Sequence, residues 1–154
     1  LYTFFLYNWQ VRDQWFEWCQ QLDQSELLKQ RVGGIGSILH TLLHIVDVEH
    51  SWIQAIQGKD DILHDFNDFT TLEDVVSLSH KYREDIKEFF NNHPFEQDHS
   101  VKAAWIDDTF TKEEVLQHVI AHEIHHIGQL SIWARELGLN PVSANLIGRG
   151  LFSS

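Results

Sequence analysis

Apolar side chains recur at steps of three and four along most of this chain, and four long segments carry that period. The first covers residues 3–22. Phe4, Phe5, Tyr7, Asn8, Val11, Trp15, Trp18 and Leu22 share one helical register, which predicts a helix with an aromatic core face. The second covers 35–57. With His44 as the zero of a helical wheel, Ile35, Leu42, Val46 and Ile53 fall within roughly 20° of the opposite face. Ser37, His40, Val48, Ser51 and Ala55 lie beside His44. One face is therefore apolar. The other is small, partly polar, and carries His40 and His44 four residues apart, with room for something to sit there. A solvent-facing stripe of this length ordinarily bears several Lys, Arg or Glu. Here only Asp47 and Glu49 carry charge between Gly36 and Lys59.

Thr71-Leu72-Glu73-Asp74 reads as a helix start, and Val75, Leu78, Tyr82, Ile86 and Phe89 or Phe90 continue the period to Asn91-Asn92-His93-Pro94. Thr111-Lys112-Glu113-Glu114 is a capping box that opens the fourth segment, which Gly138 and Pro141 close after Leu137. Between these segments the pattern breaks. Gln24 to Leu28 reads as a turn. Gly33, Gly34 and Gly36 lack the preceding strand and the Lys-Ser/Thr of a phosphate loop, so they mark the start of the second helix. Residues 59–70 are rich in aspartate without calcium-loop spacing. They read as a solvated connection held down by Ile62, Leu63, Phe66 and Phe69. Val101, Ala103 and Trp105 alternate, which suits an extended crossover or a short ribbon. His93 and His99 read as surface residues. The tail from Asn140 has no period. The expectation is an all-α single domain, residues 1–154: a four-helix bundle with a long crossover before the last long helix.

Composition narrows the partners. Eleven basic against 23 acidic residues give a net charge of −12, which argues against a nucleic-acid backbone or an anionic membrane as partner. The single cysteine, Cys19, excludes an intramolecular disulfide and suits a reducing cytoplasm. No basic segment followed by an apolar run and a cleavage site is visible, and the opening apolar stretch, residues 1–7, is too short to span a bilayer.

The candidate chemistry lies in the histidines. His118, His122 and His126 recur every fourth position in the last helix and form one slanting ridge. Val115, Gln129 and Trp133 flank that ridge, while Leu116, Ile120, Ile124 and Ile127 form a second apolar face, suited to core or to a dimer surface. Gly128 would admit close approach of another helix. Ligands of helical-bundle metal sites project inward from facing helices. His44, His122 and His126 are thus expected to offer three nitrogen ligands to one divalent ion, with positions left open for water or substrate. A zincin site, His-Glu-x-x-His, is set aside on the three-residue spacing of His122 and His125. A di-iron site is disfavoured because Glu123-x-x-His126 has only the imperfect counterpart Asp47-x-x-His50.

Two motifs then stand together: His44-Ile45-Val46-Asp47-Val48-Glu49-x-x-Trp52, and His118-x-x-x-His122-x-x-x-His126-Ile127-Gly128-Gln129. With the aromatic first helix and Gly138-Leu139-Asn140-Pro141, the chain resembles the DinB/YfiT-like family of bacterial metal-binding helical bundles. The resemblance implies an up-down-down-up four-helix bundle, a divalent ion (nickel or zinc), frequent homodimers, and His44, His122 and His126 as its ligands. It also implies relatives that are thiol-dependent S-transferases using bacillithiol or mycothiol, or metal-dependent hydrolases. Three neutral imidazoles leave an ion its full positive charge, which acidifies a water or thiol held there. His118 and Gln129 point toward the site better than Glu123 and are the candidates for proton transfer or support; His125 and Asp47 lie nearby. The rival expectation is a non-catalytic metal- or ligand-binding dimer, with His40 or His118 closing the site as a fourth ligand.

Overall fold

All four periodic segments are helical in the structure, a computed structural model that describes residues 1–92 and 100–152. The elements run α1 (Tyr2–Cys19), α2 (Gln24–Leu28), α3 (Ile38–Ile56), α4 (Leu72–Asn92), β1 (Ser100–Ala103), β2 (Ile106–Thr111) and α5 (Lys112–Glu136), with a 3-10 turn at Phe66–Asp68. The fold is thus mostly helical, with one small antiparallel hairpin. Helix α3 packs against both α4 and α5, and α1 packs against the same two. Among the described residues no helix is long and apolar enough to cross a membrane. His93, Pro94 and His99 lie outside the described residues, so their assignments have no structural counterpart here.

Side chains at the helix starts explain where the elements begin. The Thr111 side chain accepts from the Glu114 amide at 3.1 Å, as the capping box requires. Thr71 and Asp74 exchange bonds reciprocally, with aspartate in the usual place of glutamate. Three boundaries differ from the sequence expectation. Helix α1 stops at Cys19 rather than residue 22, and the expected turn at Gln24 to Leu28 is the short helix α2, capped by Asp23 on the Glu26 amide at 2.9 Å. Helix α3 starts only at Ile38, because Gly34 and Gly36 have φ of +50° and +98°, and the helix cannot begin before its cap, Ser37. Ile35 is accordingly in the loop and 37% exposed, not in the core.

The alternating stretch resolves as a ribbon. Val101 faces Phe110 and Lys102 faces Thr109 across the hairpin, and the buried Val101 and Ala103 join the core beside Phe89 and Val115. Trp105, third in the alternation, turns outward and sets its ring 4.9 Å from Trp52. In the 59–70 connection, Phe66 and Phe69 pack on the core as expected, whereas Leu63 and Ile62 are exposed. Gly128 meets open space, not another helix of this chain. The tail runs back along α1: Tyr7 donates to the Ala144 carbonyl at 2.5 Å, and Trp18 to that of Asn140 at 2.8 Å.

The core is two apolar clusters with a polar layer between them. One gathers around Trp15, Leu39, Leu42 and Trp133, the other around Trp9, Trp52, Ile53 and Val119. Each long helix carries residues of both clusters, and each contributes a buried polar residue to the layer between them: Arg12, Glu49, Ser79 and Glu123. Arg12 donates to both Glu123 oxygens at 2.6 and 2.9 Å and to Ser79 at 3.1 Å, and lies 3.0 Å from Glu49. Trp9 donates to the Glu49 carboxylate at 3.2 Å.

Candidate metal centre

Because α3 and α5 pack along their lengths, their histidine-bearing faces meet. His44 and His122 bring their Nε2 atoms to 3.1 Å, and the His126 ring centroid lies 4.8 Å from that of His44 and 4.5 Å from that of His122. One nitrogen from each of the three residues falls within 4.8 Å of the others. Two ligands on a tetrahedral zinc at 2.0–2.1 Å would sit about 3.4 Å apart, so the His44–His122 pair is already near ligand spacing. The donor set also fits: imidazole nitrogen suits zinc and nickel. Without an ion, one of the facing nitrogens must carry a proton to bond the other; a cation would take both lone pairs instead.

Electrostatics favours neutral rings here. Burial, then the neighbouring His126, pushes His44 down to about 4. Burial, then His44 and His126, pushes His122 down to about 3. Both rings are therefore uncharged near neutral pH, and a shift of tautomer, with no net loss of a proton, frees both facing nitrogens for an ion.

The third ring is set by Gln129. Its Oε1 lies 2.9 Å from His126 Nδ1, so Nδ1 is the donor and Nε2 is the nitrogen left with a lone pair. The glycine segment holds Gln129 in turn. A Cβ on Gly34 would run into the Gln129 carboxamide, and Trp133 Nε1 donates to the Val32 carbonyl at 3.1 Å, tying this loop to α5. Gly34 therefore serves a close approach beside the site. Gln129→Leu keeps the packing volume but removes the acceptor. It is expected to weaken zinc affinity by roughly 10–100-fold, read by competition with a chromogenic chelator.

Glu123 faces away from the histidines. The spacing alone does not exclude the zincin pattern, because His122-Glu123-Ile124-His125-His126 places its outer histidines four apart. What removes it is the position of the carboxylate, which is 1% exposed and clamped by Arg12, out of reach of a general-base role at the three rings. The same contact leaves the di-iron pattern without its Glu123 ligand. Burial raises the Glu123 carboxyl above the usual range, against the attraction of Arg12 and with the repulsion of Glu49. Burial opposes the charge on Arg12, but Glu123 and Glu49 outweigh it and hold the guanidinium protonated. Neither Arg12 nor its layer was singled out from the sequence. The available signal was Asn8 and Arg12, four apart on an otherwise aromatic helix face.

The other candidates separate. His40 Nε2 lies 3.0 Å from the Phe69 carbonyl, so this ring is engaged by the 59–70 connection. That connection, with Asp61 accepting from Ser51 at 2.7 Å, covers part of the small-residue face of α3. His50 stacks on Tyr82 at 3.5 Å and contacts Asp85, apart from the triad. Asp47 is half-buried, and burial raises its carboxyl above the usual range, with His64 opposing and Asp61 adding. His118 is exposed, its ring 6.1 Å from that of His122 and 5.7 Å from Trp52. His125 is exposed beside His126. Among the described residues, the metal-capable grouping comprises His44, His122 and His126.

The model of the DinB family matches residues 1–149 of this sequence. The chain belongs to the DinB family. A relative, the uncharacterized protein YizA of Bacillus subtilis (strain 168), is 57% identical over 150 residues, covering 96% of this chain and 94% of that protein. The three-histidine cluster of this DinB chain sits on the two helices that carried the resemblance, α3 and α5.

Proposed function

We propose that this DinB-family chain binds one divalent ion, zinc or nickel, through His44, His122 and His126, and acts as a metal-dependent enzyme of the thiol-transferase or hydrolase type. The observation that carries the reading is the approach of three imidazoles from α3 and α5, two of them with nitrogens 3.1 Å apart. Such an ion supplies Lewis acidity that lowers the pKa of a water or thiol in its open position. The chain's own residues do the rest. His44 and His122 present lone pairs; Gln129 keeps the His126 proton on Nδ1. His118, exposed one turn from His122, is placed to exchange protons with solvent. The Arg12–Glu123 contact fixes the rotation of α5 about its axis.

Catalysis is favoured over a closed structural site because His40 is engaged by Phe69 and His118 stands against Trp52, so neither fills a fourth position. The same proposal includes an up-down-down-up bundle forming a single domain, a homodimer, a cytoplasmic setting, no nucleic-acid or membrane partner, and a low-molecular-weight thiol such as bacillithiol as co-substrate. Protein purified without a nickel-affinity step is expected to hold about one zinc or nickel per chain. The loaded form is expected to conjugate bacillithiol to members of an electrophile panel, or to hydrolyse activated esters. A chain that holds no metal and takes none up sinks the site. A loaded chain inert in both assays sinks the enzyme.

A further inference from the structure

One pocket shares His118 with the histidine ridge and includes none of the three candidate ligands. It has a volume of about 260 Å³ and is lined by Trp52 of α3, Ile106 and Phe110 of β2, and Glu114, Val115 and His118 of α5. Four of these six side chains are wholly apolar or aromatic. Trp52 forms the floor, 5% exposed, with Phe110 5.9 Å from it edge-on. Ile106 stands at the rim, 39% exposed. The hairpin thus holds an aliphatic side chain in water beside an indole instead of closing over it.

The link to the triad is His118. Its ring stands edge-on to Trp52 at 5.7 Å on one side and 6.1 Å from the His122 ring on the other. A molecule lying along α5 would have its apolar end in this pocket and its polar end at the histidines. We propose that the pocket seats an uncharged apolar group, a phenyl ring or a branched alkyl chain, of the small molecule on which the three-histidine site acts. The assignment rests on the metal-dependent reading above for its second half only; the seat itself stands on the pocket. Size agrees, since an apolar cavity of about 150 Å³ holds benzene, and the larger space here takes a ring with a short linker. Charge agrees as well. Glu114 at the rim and a net charge of −12 disfavour a carboxylate or phosphate at this end of the ligand.

The test separates the pocket from the ion. Metal-free protein labelled with fluorotryptophan is titrated with phenylpropanol and with propanol, and the Trp52 resonance, assigned with Trp52→Phe, is followed by fluorine NMR. Phenylpropanol is expected to shift that resonance saturably and to bind at least about tenfold more tightly than propanol. Ile106→Glu and Phe110→Ala, checked for an unchanged thermal melt, are each expected to weaken it by about fivefold or more. In zinc-loaded protein, phenylpropanethiol is expected to keep the same advantage over propanethiol. Ile106→Glu is expected to remove that advantage and leave the affinity for propanethiol unaltered. No saturable shift at Trp52, or an equal shift in both wall variants, overturns the seat and leaves the space a packing gap under the hairpin. Zinc-loaded protein that binds phenylpropanethiol no more tightly than propanethiol overturns the connection to metal chemistry while the seat stands.

Discussion

His122→Ala is expected to reduce bound zinc or nickel from about one equivalent per chain to a trace, with any metal-dependent activity lost alongside it. The expectation follows from geometry. His122 is one corner of a nearly equilateral triangle of rings, 4.8 Å from His44 and 4.5 Å from His126 between centroids, and it supplies one of the two nitrogens already at ligand spacing. Without it, His44 and His126 remain; among the described residues His40 is bonded to Phe69, His118 stands against Trp52, and His125 beside His126 is exposed and outside the metal-capable group. Two imidazoles alone hold a divalent ion far more weakly than three. The measurement is metal content by elemental analysis after dialysis against a weak chelator. The metal-free melting temperature serves as the control and is expected to stay close to wild type. A variant that retains a full equivalent of metal would place the ion elsewhere.

Arg12→Met carries the largest expected effect on stability. Arg12, Glu49 and Glu123 are each no more than 3% exposed, and the one guanidinium lies within 3.0 Å of both carboxylates. Removing it leaves two acidic groups buried without their common cation, which costs about 3–5 kcal/mol. For a chain of this size that lowers the melting temperature by roughly 10 °C or more. Glu123 is flanked by His122 and precedes His126 by three residues, so zinc affinity is expected to fall with stability. The decisive comparison is Arg12→Met combined with Glu49→Gln and Glu123→Gln. Neutral amides need no counter-charge, so this triple variant is expected to recover more than half of the lost melting temperature. If it melts no higher than Arg12→Met alone, the loss lies in packing of the long side chain and not in the orphaned charges.

Residues on one face of one helix are legible in the sequence, and residues brought together from distant segments are not. His118, His122 and His126 announce themselves because a step of four returns to the same face. His44 follows as the partner because its neighbours are small and almost uncharged. Gln129 is legible for the same reason as the ridge. Its bond to His126 Nδ1 is not, because a side-chain tautomer is decided by an atomic contact. Gly34 read as a helix start. Its purpose depends on a backbone approach to Gln129, 95 positions further along the chain by number, which no local pattern encodes.

The polar layer is the clearest case of the difference. In the sequence Arg12 is a basic residue on an aromatic helix, Glu49 a charge near His44, and Glu123 a neighbour of the ridge. Each is unremarkable on its own helix, and burying any one of them unpaired would be prohibitive. Together they neutralise much of one another's charge, and that pairing exists only once α1, α3 and α5 are packed. It also accounts for the zincin-like string: the letters around Glu123 fit the pattern, while the direction of its side chain does not.

By itself the sequence determined the four long helices, the capping residues at Thr71 and Thr111, and the histidines that share a face, because periodicity and capping are local. It also carried the family. Only the tertiary structure decided which helix rotations bring His44 to His122, what Arg12 and Glu123 are for, and that the crossover folds into a hairpin which leaves an apolar pocket beside His118. Those outcomes depend on the sum of long-range packing and the pairing of buried charge, and neither is fixed until the whole chain has come together.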